Sequence, residues 1–273
     1  TEPIPSPPTH LFTLAQRLPD DSIYPVQETR LSHQLSLRDQ LNSVFRFRWL
    51  LVELVKAEIK LRYRRSTLGV LWTVMNPILN ALVLYFVFRA IFKFRTLGEI
   101  DFFPYVYSGV LLLNFFTQAI VQGAEQLHAY ASVLRRVNIP GEIFVISKVI
   151  GNIINFLFGI IPLFVYFLVT QHQFTFKILI APLVILSLTF IVTAIALFLS
   201  VIYVYFRDME HLIPIIMTLF FYLSPVFYSL EMVGGRTRQV MELNPIVTYL
   251  DSFRNYLNIT GSTNYKYLFA STL

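Results

Sequence analysis

The chain contains no cysteine, which excludes disulfides and thiolate metal sites within it and carries no information about compartment. Charge is also scarce. Charged residues make up 14% of the 273 residues against 55% hydrophobic and 16% aromatic, more apolar surface than a water-soluble domain of this size readily covers. No lysine is followed by serine or threonine, so the Gly-rich Lys-Ser/Thr phosphate loop is missing and any nucleotide energy must be supplied through another subunit. His10, His33, His128, His172 and His211 are dispersed, with no two at helical ligand spacing, and no metal is expected. The N-terminal stretch carries Pro3, Pro5, Pro7 and Pro8 among polar residues, without the apolar core of a cleavable signal.

What the sequence does have is long apolar blocks. Five are long enough to cross hydrocarbon, at about 71–92, 104–122, 143–170, 178–205 and 211–229, because a crossing takes about 20 helical residues. None of these blocks contains Asp or Glu. Membrane proton relays need buried carboxylates or histidine, and general acid–base chemistry needs such groups beside the reacting bond. Proton coupling and an intramembrane hydrolase or glycosyltransferase are therefore disfavoured. The reading is an all-α integral membrane protein that forms part of a passage and breaks no covalent bond.

The net charge is +6, and seven basic residues fall between Arg46 and Arg65, just before the first block. The positive-inside rule places this collar in the cytoplasm, and anionic headgroups explain it more simply than nucleic acid does. The loops around Arg95 and Asp101, and from Gln171 to Lys177, then lie outside; Glu125 to Glu142 and Arg207 to Glu210 lie inside.

Residues 1–35 read as a polar cytoplasmic tail, and 36–66 as an amphipathic helix lying along the interface. Ser36 is its expected N-cap; Leu41, Val44, Phe45, Val52, Val55 and Ile59 form the expected apolar stripe, with Glu53, Lys56 and Lys60 opposite. The remainder, 67–273, is the transmembrane domain. Gly234, Gly235, Asn244, Pro245 and Gly261 interrupt the segment after the fifth block, which reads as short helices at the outer surface. A sixth apolar run begins at Tyr265 and stops at Leu273, too short to cross, so either the protein ends outside or the sequence is cut within an incomplete sixth span.

Arg89 and Lys148 lie within or at the margins of spans, where they either snorkel to headgroups or meet a phosphate-bearing substrate. Tyr85, Phe88, Phe115, Phe116, Phe220, Phe221 and Tyr222 are candidate linings for a carbohydrate passage, since aromatic faces stack on sugar rings; lipid contact or packing uses the same residues. Pro77, Pro162, Pro182, Pro214 and Pro225 fall in or near the spans.

An ordered set of motifs completes the pattern: Glu58-Ile-Lys-Leu-Arg-Tyr-Arg-Arg-Ser-Thr-Leu-Gly-Val-Leu-Trp72 with Asn76-Pro77, Leu134-Arg-Arg-Val-Asn-Ile-Pro140, Val204-Tyr-Phe-Arg-Asp208, Ser224-Pro225-Val-Phe-Tyr228 and Asn244-Pro245. In this order, across roughly Leu51 to Arg254, the chain resembles the permease subunits of ABC exporters for lipid-linked polysaccharides such as O-antigen, teichoic acid and galactan. The resemblance implies a six-span permease that works as a homodimer with two copies of a separate ATPase, which carries the ATP and Mg; no cofactor belongs to this chain. It also implies outer re-entrant helices between spans five and six, and a multi-pass location in the bacterial plasma membrane with the N-terminus cytoplasmic. The ATPase-coupling element would be Ala131 to Glu142, with Leu134, Arg135, Arg136 and Pro140 inside it. Arg207 and Asp208 would form a tight cytoplasmic turn in which Asp208 and Glu210 cap a helix. An exporter of drugs or lipids, a membrane glycosyltransferase or polymerase, and a non-catalytic scaffold are the alternative readings.

Overall fold

The computed structural model describes residues 45–63, 71–90, 96–97, 100–137, 139–172, 175–228, 230, 233–242 and 244–259. The polar tail, the Ser36 cap with Leu41 and Val44, and the sixth apolar run lie outside the described residues, as do the side chains of Tyr85, Phe88 and Arg89.

The described chain is helical except for one small hairpin, in which β1 (Thr96–Leu97) pairs antiparallel with β2 (Ile100–Asp101). Its long helices are α1 (Arg48–Tyr63), α2 (Leu71–Ala90), α3 (Phe102–Ala124), α6 (Glu142–Val169), α7 (Ala181–Tyr205) and α8 (Met209–Tyr222). The one-turn helices α4 (Gln126–Ala129) and α5 (Ala131–Leu134) link α3 to α6, and a 3-10 turn at Phe176–Ile180 leads into α7. After α8 come α9 (Gly235–Glu242) and α10 (Pro245–Tyr256).

Helix α3 is the axis of the fold, with α2, α6, α7, α8 and α10 packed around it. The neighbours meet it through stripes at helical spacing. On α6 the stripe is Val145, Val149, Asn152, Phe156, Gly159, Leu163 and Phe167, and on α7 it runs through Leu188, Val192, Ala196, Ser200 and Tyr203. Gly123 permits a close approach of α3 to α7: a Cβ built there would lie 2.9 Å from the Ala196 Cβ. The opposite faces of α6 and α7 expose Leu168, Phe190 and Phe198, an apolar exterior suited to lipid. Pro162 removes an amide from the α6 ladder, and the Tyr107 hydroxyl of α3 donates to the adjacent Gly159 carbonyl at 2.6 Å.

Among the described residues, three stretches are long and apolar enough to cross a membrane: Phe102–Ala129, Glu142–Val169 and Phe176–Tyr205. The 20 residues of α2 also make a rod of about 30 Å. The block expected at 211–229 is corrected, because α8 ends at Tyr222 after 14 residues, a length of about 21 Å. The stop lies at Ser224-Pro225, since a residue before proline is pushed out of the helical region.

The expected stripe of α1 is divided in the structure: Val55 is buried and Ile59 half-buried, whereas Phe45 and Val52 are 73 and 49% exposed. Leu50 and Leu54 are buried beside Val55, so apolar residues occupy more than one side of this segment. The exposed side combines Phe45, Trp49 and Val52 with Lys56, a pattern suited to an interface between lipid and water.

Candidate functional site

Three groups of residues are strung along α3. At its Ala124 end, Leu50 and Leu54 of α1 pack with Ile143 and Phe144 of α6, and Tyr130, Val133, Leu134 and Ile139 close around them. The Tyr130 and Phe144 rings stack with centroids 4.6 Å apart. This apolar cluster docks the Ala131–Glu142 element onto α1 and leaves Arg135 and Arg136 exposed, while Ala131, Pro140 and Glu142 are half-buried.

The same end carries an ion pair not evident in the sequence, with Lys148 Nζ of α6 2.6 Å from Glu58 Oε1 of α1 and both side chains about one-fifth exposed (18% and 22%). The Lys148 charge is thus met inside the chain. Arg207 and Asp208 are exposed in the turn between α7 and α8. The expected cap is corrected: Asp208 occupies the N-cap position of α8 but is helical in backbone and makes no side-chain cap bond. Capping needs an extended backbone at that residue. Glu210 does sit in the first turn of α8, where its charge favours the helix dipole.

Along the middle of α3, the residues left open are mostly amides. Asn114, Gln118 and Gln122 recur every fourth position; Gln118 is exposed and the other two are half-buried. Gln122 Nε2 donates to Gln118 Oε1 at 2.5 Å, and Asn152 Nδ2 of α6 donates to Gln122 Oε1 at 3.2 Å and to the Lys148 carbonyl at 3.0 Å. The aromatic lining expected on α3 is corrected. Phe115 packs on Phe156 and Phe116 on Phe220, with centroids 5.6 and 6.1 Å apart, and both α3 rings are buried in the core. Residue type announced aromatic faces, but the helix rotates them toward α6 and α8. Phe220 and Phe221 are half-buried, and Tyr222 remains 69% exposed.

At the Phe102 end lies a lock built on Arg254 of α10, whose side chain is fully buried. Its Nη1 donates to the Pro225 carbonyl at 2.8 Å, and its Nη2 to the carbonyls of Tyr105 at 3.0 Å and Val226 at 3.3 Å. The guanidinium also lies 3.5 Å from the centroid of the Tyr105 ring, whose hydroxyl donates to the Tyr228 carbonyl at 2.9 Å. Asn244 caps α10 by accepting from the Ile246 amide at 3.1 Å, with Pro245 starting the helix, and donates to Ser224 Oγ at 3.3 Å. The Ser224-Pro225 and Asn244-Pro245 motifs thus meet, and Arg254 ties the backbone freed at Pro225 to the start of α3. A lone arginine near the end of an amphipathic helix reads as a surface residue in sequence, so nothing local announced this role.

These features define a polytopic helical membrane protein, with no group of His or acidic residues among the described residues that could hold a metal ion. The chain belongs to the ABC-2 type transporter family, whose profile matches residues 50–258. It is 30% identical over 217 residues to the O-antigen export system permease protein RfbA of Myxococcus xanthus, covering 78% of this chain and 82% of that one. Two Klebsiella pneumoniae proteins of the same name are 25% identical over 223 residues and 24% identical over 238, covering 80 and 86% of this chain and 83 and 89% of theirs.

Proposed function

We propose that this chain is the permease subunit of an ATP-driven exporter of an undecaprenyl-type lipid-linked polysaccharide, acting across the bacterial plasma membrane. Two six-span copies form the channel, with the N-terminus cytoplasmic. Two copies of a separate ATPase bind ATP and Mg and dock against Arg135 and Arg136. The outer re-entrant helices are α9 and α10. The observation that carries the reading is the similarity to O-antigen export permeases over about four-fifths of the chain. The exposed arginine pair, buttressed by α1, supports the docking site. Co-purification tests it: the chain brings down a nucleotide-binding subunit, and Arg135→Glu with Arg136→Glu releases that subunit while the permease stays folded. Failure of the unaltered chain to hold any nucleotide-binding subunit overturns the reading.

A further inference from the structure

We propose that the amide ladder Asn114, Gln118 and Gln122 is the polysaccharide-binding lane of the permease, gripping sugar hydroxyls along the inner half of α3. The proposal rests on the export reading above and adds the residues that touch the glycan. Asn114 lies twelve residues into α3, about 18 Å from Phe102, and the ladder continues about 12 Å further to Gln122.

Three observations carry it. First, α3 is otherwise buried along most of its length, and the face it leaves open on this half is Asn114, Thr117, Gln118, Val121 and Gln122. Amides turned toward lipid are unfavourable, so such a face belongs to protein or to a water-filled passage. Second, the face offers only one of the small residues that close helix–helix contacts in membranes use, Thr117, and its hydroxyl is turned back to the Leu113 carbonyl at 2.8 Å. The glycines of this helix are committed elsewhere, Gly123 against Ala196 and Gly109 against Arg254. A tightly packed second copy is therefore a poor occupant. Third, the ladder is held from behind, with Asn152 donating to Gln122 and Gln122 donating to Gln118. Amides present donors and acceptors without charge, which suits uncharged hydroxyls. Several weak sites in series also let a long polymer slide, where a single tight site would hold it.

The chain lacks cysteine, so labelling read on the permease band reports the introduced thiol alone, whatever thiols the ATPase carries. Asn114→Cys and Gln118→Cys are placed in the full complex with its ATPase, in inside-out vesicles, and exposed to a charged methanethiosulfonate. Both are expected to react at least tenfold faster than Phe190→Cys or Phe198→Cys on the apolar face of α7, and accumulated lipid-linked glycan is expected to slow them. Reaction no faster than at the α7 positions overturns the proposal. In cells, Asn114→Leu with Gln118→Leu is expected to lower surface glycan at least fivefold while two permease copies and the ATPase still co-purify; Gln118→Asn, which keeps the amide, restores part of it. Unchanged export overturns the lane, and loss of the second copy reassigns the face to subunit contact. Depletion of the unaltered chain is run in parallel. If no lipid-linked glycan accumulates, the export reading itself fails, whereas accumulation with unreactive thiols sinks the lane alone.

Discussion

Replacing Arg254 by methionine keeps most of the side-chain volume and removes every hydrogen bond that the guanidinium makes. The bonds to the Pro225 and Tyr105 carbonyls are short, at 2.8 and 3.0 Å, and each is of a charge-assisted kind that contributes roughly 1.5–3 kcal/mol. The contact with the Tyr105 ring adds roughly 1–2 kcal/mol because it is desolvated. Against this stands the cost of burying a guanidinium whose Nε makes no hydrogen bond, several kcal/mol that the methionine variant recovers. The expected net loss is roughly 2–4 kcal/mol, a fall of roughly 5–15 °C in the thermal midpoint of the detergent-solubilised complex. Arg254→Lys is expected to recover less than half of that loss, since an ammonium lacks the planar fork that meets two carbonyls. Gly109→Ala offers an independent route to the same damage, because its Cβ would sit 2.5 Å from Arg254 Nη2. The two changes are expected to be non-additive, with Gly109→Ala costing much less once Arg254 is methionine. An Arg254→Met protein as stable as the unaltered one, or simple additivity with Gly109→Ala, would refute the lock.

Lys148→Met and Glu58→Gln are each expected to lower thermal stability by roughly 1–3 kcal/mol by removing a short, mostly buried ion pair, and the double variant is expected to lose less than the sum of the two; strict additivity in a double-mutant cycle would show the pair uncoupled. Gly123→Val is expected to separate α3 from α7 at a cost of roughly 1–3 kcal/mol, read as a lower melting midpoint without loss of helix content.

The spans were legible where the signal is local. The blocks expected at about 104–122 and 143–170 match α3 and α6 within two residues at either end, because an uninterrupted apolar run determines its own helix. The break after Tyr222 was legible in kind but placed too late, although Pro225 marks it. What stayed hidden depends on rotation and on distant partners. Phe115 and Phe116 looked like lining residues, yet which way a ring points is decided by the neighbours that α3 acquires. Glu58 and Lys148 lie 90 positions apart, and Arg254 reaches the Tyr105 carbonyl across 149. The spacing of Asn114, Gln118 and Gln122 was present in the sequence. It acquired meaning only when the structure left that face of α3 open.

The central claim, export of a lipid-linked polysaccharide, is tested most directly by depleting the chain in growing cells and measuring lipid-linked glycan on each side of the plasma membrane. Finished glycan is expected to accumulate on the cytoplasmic face while surface glycan falls. Unchanged surface glycan, or disappearance of glycan from both faces, would contradict it.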